Sequence, residues 1–411
     1  MLASLRALPE QIRQYMLVTA NYWAFTLTDG ALRMLVVLHF HQLGYSPLAI
    51  AMLFLFYEFF GVVTNLFGGY LGARFGLNRT MNIGLGLQIG ALAMLLVPNE
   101  LLTIAWVMAA QALSGIAKDL NKMSAKSSIK ALVAKGAEGT LYKYIALLTG
   151  SKNTLKGVGF FLGGALLALF GFHGAILLMA VGLSLVWGLS LVKLKQDLGK
   201  ASTKPKFHQI FSKSRNINIL SAARMCLFAA RDVWFVVALP VYLASQFDWD
   251  HYWVGGFLAS WVIAYGVVQS FAPKITGSQF AGAGQAPGGR AALFWVSMLA
   301  IIPIVIAIAM TVLPNPQWWL IAGLILFGVV FAINSSLHSY LIVSYASDDG
   351  VSLDVGFYYM ANAMGRLIGT ILSGWVYQVA GLVACLWIAA GFLLVTVAIS
   401  VYLPKQAQQA S

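Results

Sequence analysis

The sequence predicts an all-α polytopic membrane protein, with twelve transmembrane helices in two pseudo-symmetric six-helix bundles. Three observations predict it. Long uncharged apolar runs recur from Met16 to Leu403 in a chain that is 60% hydrophobic and 9% charged, a balance foreign to water-soluble domains. The runs are about twenty residues long, the length at which a helix crosses the hydrocarbon of a bilayer. The connections between them alternate in charge.

In chain order, the first fifteen residues, MLASLRALPEQIRQY, hold two arginines and Glu10 but no apolar core of signal-peptide length, so a short cytoplasmic tail is expected. Spans are predicted at 16–40, 47–70, 80–97, 101–123, 143–171, 173–193, 217–244, 251–272, 291–313, 317–345, 353–379 and 381–403. The connections after the odd-numbered spans (HQLGYSP, VPNE, FHG, QFDWDH, PNPQ and AG) contain no Lys or Arg. The amino-terminal tail and the even-numbered connections hold Arg6, Arg13, Arg74, Arg79, Lys195, Lys200, Lys204, Lys206, Lys213, Arg215, Lys274 and Arg290. The positive-inside rule then puts both termini in the cytoplasm of a protein of the inner (plasma) membrane. The net charge of +13 is thus partly topology, and no nucleic-acid partner is needed to explain it.

The longest basic connection, residues 195–216, is expected to link an amino-terminal bundle (1–194) to a carboxy-terminal one (217–411). The halves echo each other. Asp29 in TDGALRMLVVL matches Asp232 in RDVWFVVALP, and Gly61-Val62-Val63 matches Gly266-Val267-Val268. Such halves describe a secondary transporter with a midplane site between them. Cys226 and Cys385 stand far apart with no CxxC or Cys/His cluster, so neither a disulfide framework nor a metal site is expected, and no cofactor.

The connection between spans 2 and 3, GYLGARFGLNR, resembles the loop signature of the major facilitator superfamily through Gly69, Arg74, Gly76 and Arg79. Ala73 stands where that signature has an aspartate, and Asn78 replaces a basic residue, so the usual charge relay of this gating loop is not expected here. The glycines permit a tight turn and close helix approach.

Residues 115–157 carry eight lysines against Asp119 and Glu138. Lys118 and Lys122 are four apart, as are Lys152 and Lys156, so each pair shares a helix face. A cation at mid-bilayer costs roughly 3 kcal/mol unless it faces protein, water or a counter-charge. The expected intramembrane cations are Arg33, Lys118, Lys122, Lys152, Lys156, Arg224, Arg231 and Arg366, facing Asp29, Glu58, Asp119 and Asp232. Asp29 and Arg33, at i and i+4, can pair; Arg231 adjoins Asp232 but is expected to point elsewhere; Arg224 and Arg231, seven apart, share a face. The excess suits a cargo with several negative charges, and these cations are the substrate-binding candidates.

Blander roles are weighed beside this one. Lys126, Lys130, Lys135 and Lys143 read as topogenic lysines at the cytoplasmic edge. Lys118 and Lys122 fit snorkelling as well as cargo contact, whereas Lys152 and Lys156 lie deeper, where snorkelling is harder. Arg224, Arg231 and Arg366 fit cargo contact or interhelical ion pairs. Glu58 in FLFYEFFGVV has no cation nearby in sequence and is the leading ion-coupling candidate, ahead of Asp29 and Asp232. Asn21-Tyr22, Asn334-Ser335-Ser336 with His338 and Tyr340, and Tyr358-Tyr359 with Asn362 read first as helix–helix glue. The tryptophans, such as Trp318 and Trp319 after PNPQ, read as interface anchors.

TDGALRMLVVLHF, FYEFFGVVTNLFGGYLGARFGLN and SGIAKDLNKMSAKSSIK resemble the ArsJ family of organoarsenical efflux permeases, a branch of the major facilitator superfamily, and the likeness extends over nearly the full chain. The resemblance implies export of 1-arseno-3-phosphoglycerate, which glyceraldehyde-3-phosphate dehydrogenase makes when arsenate replaces phosphate, and hence arsenate resistance. It implies a functional partnership with that enzyme, and a monomer is expected in the membrane. Pentavalent arsenic presents oxygens to the protein, so two isolated cysteines are compatible with it. An organophosphate/phosphate antiporter of the same fold would use the same cations. A multidrug exporter would favour an apolar, acidic cavity, and a membrane enzyme or receptor would need a catalytic constellation or added domain of which the sequence shows no sign.

Overall fold

The computed structural model describes residues 9–45, 53–194, 200–201, 213–249, 251–280 and 286–404. The chain is all-helical, as the sequence predicts. Helices α1 (Glu10–Gln42), α2 (Leu55–Phe75), α3 (Leu77–Met94) and α4 (Ile104–Leu132) come first. The stretch Glu138–Lys193 breaks at Gly171, φ 67°, into α5 (138–170) and α6 (172–193). Then follow α7 (Arg215–Gln246), α8 (His251–Phe280), α9 (Gly289–Val312) and α10 (Pro316–Tyr345). Val351–Ser400 breaks at Gly381, φ 77°, into α11 (351–380) and α12 (382–400). A left-handed backbone is cheap only for glycine, so one residue makes each reversal where a short loop is predicted.

Local chemistry fixes the other ends. The Thr103 side chain accepts from Trp106 N at 3.3 Å and opens α4; Ser214 accepts from Ile217 N at 3.4 Å and opens α7. α7 is interrupted between Phe235 and Ala238 because Pro240 has no N–H and its ring crowds the preceding turn. Ser373 Oγ of α11 accepts from the freed Val237 and Ala238 N–H groups at 3.3 and 3.1 Å. The fourth span is longer than predicted: α4 runs to Leu132, not 123, because NKMSAKSSIKAL contains no breaker. Lys126 and Lys130 are therefore helical.

The described residues form two compact units. Unit 1 comprises Met1–Ala137, Ser151–Ser212 and Ala346–Met360; unit 2 comprises Glu138–Gly150, Lys213–Tyr345 and Ala361–Ser411. Residues 138–150 thus group with the carboxy-terminal helices and 346–360 with the amino-terminal ones. The core of unit 1 gathers Phe25, Phe40, Leu53, Leu92 and Phe172; that of unit 2 gathers Trp234, Trp261, Phe327, Phe331 and Leu386. Among the described residues, six helical stretches, all after residue 137, are long and apolar enough to cross a membrane, two of them being the glycine-broken pairs. Large side chains such as Val192, Leu169, Val379 and Trp318 face outward, 69–84% exposed, which suits lipid and would be costly in water.

Candidate functional site

In unit 1, α4 presents its lysines at four-residue intervals. Lys118 Nζ stands 3.7 Å from the centroid of the Tyr57 ring, and the Tyr57 hydroxyl donates to both oxygens of buried Asp29 at 2.8 and 3.1 Å. The Arg33 guanidinium lies over Phe54 and Tyr57 at 5.0 and 5.5 Å. One turn further along α4, Lys122 Nζ is 2.6 Å from Asp119 Oδ1 and 4.6 Å from the Tyr359 ring centroid. Buried Lys126 donates to the Tyr359 hydroxyl from the same ring's other contact, at 4.9 Å to the centroid. Such cation–π contacts are worth about 0.5–2 kcal/mol each, and they hold amines in a polar seam that lipid would not.

α5 joins this cluster through backbone contact. Gly30 of α1 and Gly159 of α5 lie face to face: a Cβ on Gly30 would stand 2.7 Å from Lys156 O, and one on Gly159 2.8 Å from Leu27 O. Only hydrogen in place of a side chain permits this approach. It sets Lys156 where Arg33, Asp29, Lys152 and Lys118 act on its charge. Lys152 donates to Asn153 Oδ1 at 3.1 Å. The unit-1 candidates Asp29, Arg33, Lys118, Lys122, Lys152 and Lys156 are therefore brought together, whereas the Glu58 side chain lies outside the described ones.

Unit 2 holds a second cluster. Asp232 is fully buried, with Arg231 Nε at 2.5 Å from Oδ1 and Arg366 Nε at 3.3 Å from Oδ2. Arg231 was expected to point away from its neighbour; it folds back instead, because its long stem reaches around one residue and the buried carboxylate needs a donor. Arg224 Nε donates to Asn362 Oδ1 at 2.8 Å and its NH1 donates to Ser335 O at 3.3 Å. Arg224 and Arg231 share a helix face, as predicted: both guanidinium groups lie over Phe228, at 4.0 and 4.6 Å. His338 is completely buried beside Arg224, and neither ring nitrogen has a hydrogen-bond partner among the described residues.

The α2–α3 connection turns at Gly76, φ 97°. Arg74 donates to Tyr70 Oη at 2.6 Å and Arg79 is exposed in the first turn of α3, so both basic residues face outward. Gly69 packs on the start of α11, where a Cβ would meet Ser352 O at 2.4 Å, and Ser352 Oγ donates to Gly69 O at 2.8 Å. Nearby, Asp348 takes Lys135 at 2.7 Å and Lys130 at 3.6 Å. The hydrogen bond from Lys135, with the charges of Lys130 and Lys135, holds the Asp348 carboxyl below its usual range, so the group is ionised at neutral pH.

Sequence reasoning missed two contributors, Lys126 and Tyr57. Lys126, expected at the headgroups, is buried against Tyr359; its spacing of four from Lys122 was the available signal. Tyr57 had no comparable signal, since an aromatic in an apolar span reads as core; Tyr359, read first as helix–helix glue, stands instead against Lys122 and Lys126. Asn21, in contrast, serves as helix glue, donating to Ser190 Oγ at 2.8 Å.

The sequence pattern described as Major Facilitator Superfamily matches residues 17–347. No curated protein matches the chain in sequence. Among solved structures, it is similar to the human organic anion transporter MFSD10 (TETRAN), at 16% identity and TM-score 0.74, covering 96% of this chain and 100% of that one. It is also similar to the E. coli fucose:proton symporter FucP, at 12% identity and TM-score 0.74, covering 96% and 99%. A bacterial homologue of the iron transporter ferroportin in an outward-facing state gives 12% identity and TM-score 0.73, covering 95% and 98%. At these identities the likeness is one of fold.

Proposed function

This chain belongs to the major facilitator superfamily, and on that premise we propose that it is a secondary active efflux transporter for an anionic organoarsenical, 1-arseno-3-phosphoglycerate. By alternating access it expels the ester that glyceraldehyde-3-phosphate dehydrogenase forms from arsenate, and so confers arsenate resistance. It works as a multi-pass protein of the inner membrane with both termini in the cytoplasm.

The observation that carries the reading is the unit-1 cluster. Arg33, Lys118, Lys122, Lys152 and Lys156 converge there, and the acids described among them are Asp29 and Asp119. Such a surplus of cations in apolar helices is expensive unless an anion offsets it. The Arg224, Arg231 and Arg366 cluster in unit 2 supports a cargo with a second anionic group, and guanidinium forks suit tetrahedral oxyanions. The resemblance of the spans 1–2 and 4–5 stretches to organoarsenical permeases names the cargo. Gly69, Arg74, Gly76 and Arg79 belong to the gating loop rather than to the cargo site.

Everted membrane vesicles test this. Labelled arsenate should accumulate only when glyceraldehyde-3-phosphate dehydrogenase, its substrate and NAD are all present. Accumulation of arsenate alone would make the protein a direct oxyanion pump. Robust uptake of labelled 3-phosphoglycerate without arsenate accumulation would make it an organophosphate/phosphate antiporter, which the same cations would serve.

A further inference from the structure

We propose that Tyr57 is a positioning residue: it holds the Asp29 carboxylate off Lys118 and Lys156 and so keeps both amines open to an oxyanion of the cargo. The inference rests on the reading of the unit-1 cluster as the site of an organic anion.

Packing puts Tyr57 between the charges. Gly115 of α4 lies against its backbone, where a Cβ would stand 2.7 Å from Tyr57 O and 3.0 Å from Tyr57 Cα, so α2 and α4 touch about one turn before Lys118. The Tyr57 ring then faces the Lys118 ammonium, 3.7 Å from Nζ to centroid, and the hydroxyl of the same ring donates to both oxygens of Asp29. Lys156 lies where the charges of Asp29 and Lys118 both act on it. Yet among the described residues the Asp29 carboxylate makes no ion pair, neither with Lys156 nor with Arg33 one turn along α1. Neither Lys118 nor Lys156 has a carboxylate or a hydrogen-bond acceptor among them.

A role in the core accounts for the ring and leaves the hydroxyl unexplained. A buried carboxylate needs donors, and with cations this near the ordinary outcome is an ion pair. Such a pair would close the site. An amine bound to Asp29 would have its charge cancelled, and an arriving anion would have to break the contact before using it. Tyr57 gives the carboxylate a neutral donor instead. It gives Lys118 an aromatic face, which attracts a cation by about 0.5–2 kcal/mol without cancelling its charge. Two ammonium groups are then left for one tetrahedral oxyanion, whose several oxygens can accept from both.

The test is equilibrium binding of 1,3-propanediol bisphosphate to purified full-length protein. Tyr57→Phe keeps the ring and removes the hydroxyl, so Asp29 turns to an amine, and binding should weaken at least about tenfold. In the Asp29→Asn background the same change should alter the affinity less than about threefold, because no carboxylate remains to close the site. Asp29→Asn alone should tighten the probe, a measurement that serves if Tyr57→Phe fails to fold. Undiminished binding by Tyr57→Phe, a loss that persists in the Asp29→Asn background, or Asp29→Asn binding no more tightly than wild type overturns the role of Tyr57 and leaves the organic-anion reading standing. A wild type that does not bind the probe overturns both.

Discussion

Asp232 and Asp29 occupy matching places in the two halves of the sequence but are satisfied differently. Asp232 takes a guanidinium on each oxygen, from Arg231 and Arg366, whereas Asp29 accepts the neutral hydroxyl of Tyr57. Removing a buried carboxylate from between two cations leaves like charges facing each other with nothing to offset their desolvation. Asp232→Asn should therefore destabilise the protein by about 2–3 kcal/mol, while Arg366→Gln, which leaves Arg231 in place, should cost less. Thermal unfolding of the detergent-solubilised variants measures this. A wild-type melting temperature for Asp232→Asn would mean that the carboxylate does not organise its arginines.

At the scale of the element, the α1–α5 contact does more than pack two helices. Gly30, Gly159 and Gly163 bring backbone to backbone, and Lys156 gains its place beside Arg33 and Asp29 from that approach. A methyl group at residue 159 would lie 2.8 Å from Leu27 O, so the helices must part. Gly159→Ala should lower stability by about 1–3 kcal/mol and reduce transport by shifting Lys156. Gly182→Ala in α6 is the control, because nothing lies within 4 Å of its added Cβ. Glycine-to-alanine changes that behave alike at the two positions, in thermal unfolding and in vesicle uptake, would dismiss the close approach as a determinant of the site.

For the whole molecule, the proposed cargo and its route out of the cell imply a charge movement. Carrying a negative charge out of a cell that is negative inside is favoured by about 2.3 kcal/mol per charge per 100 mV. A cargo with two anionic groups thus leaves with a substantial electrical contribution. Proteoliposomes loaded with 1,3-propanediol bisphosphate should release it faster under an inside-negative potassium diffusion potential set with valinomycin, and slower when the potential is reversed. Equal rates at both signs would show that compensating charge travels with the cargo.

The sequence by itself determined the apolar spans and the surplus of cations within them. Apolar runs of bilayer length mark each helix, because lipid leaves the backbone no other partner than itself. The surplus of cations at Lys118, Lys122, Lys152, Lys156 and Arg224 was countable without a structure, since charge in an apolar helix stands out against its surroundings. The four-residue spacing that puts lysines on one face of α4 was also legible, although the helix ran further than the apolar run and carried Lys126 with it into a buried contact. Only the tertiary structure decided which charges meet. Helical periodicity fixes the face of one helix and says nothing of the face it meets. Tyr359 reaches Lys122 and Lys126, and Gly30 reaches Lys156, across more than a hundred residues of chain. Arg231 turned to Asp232 because a buried carboxylate must find a donor, and burial depends on packing neighbours that no local stretch of sequence specifies.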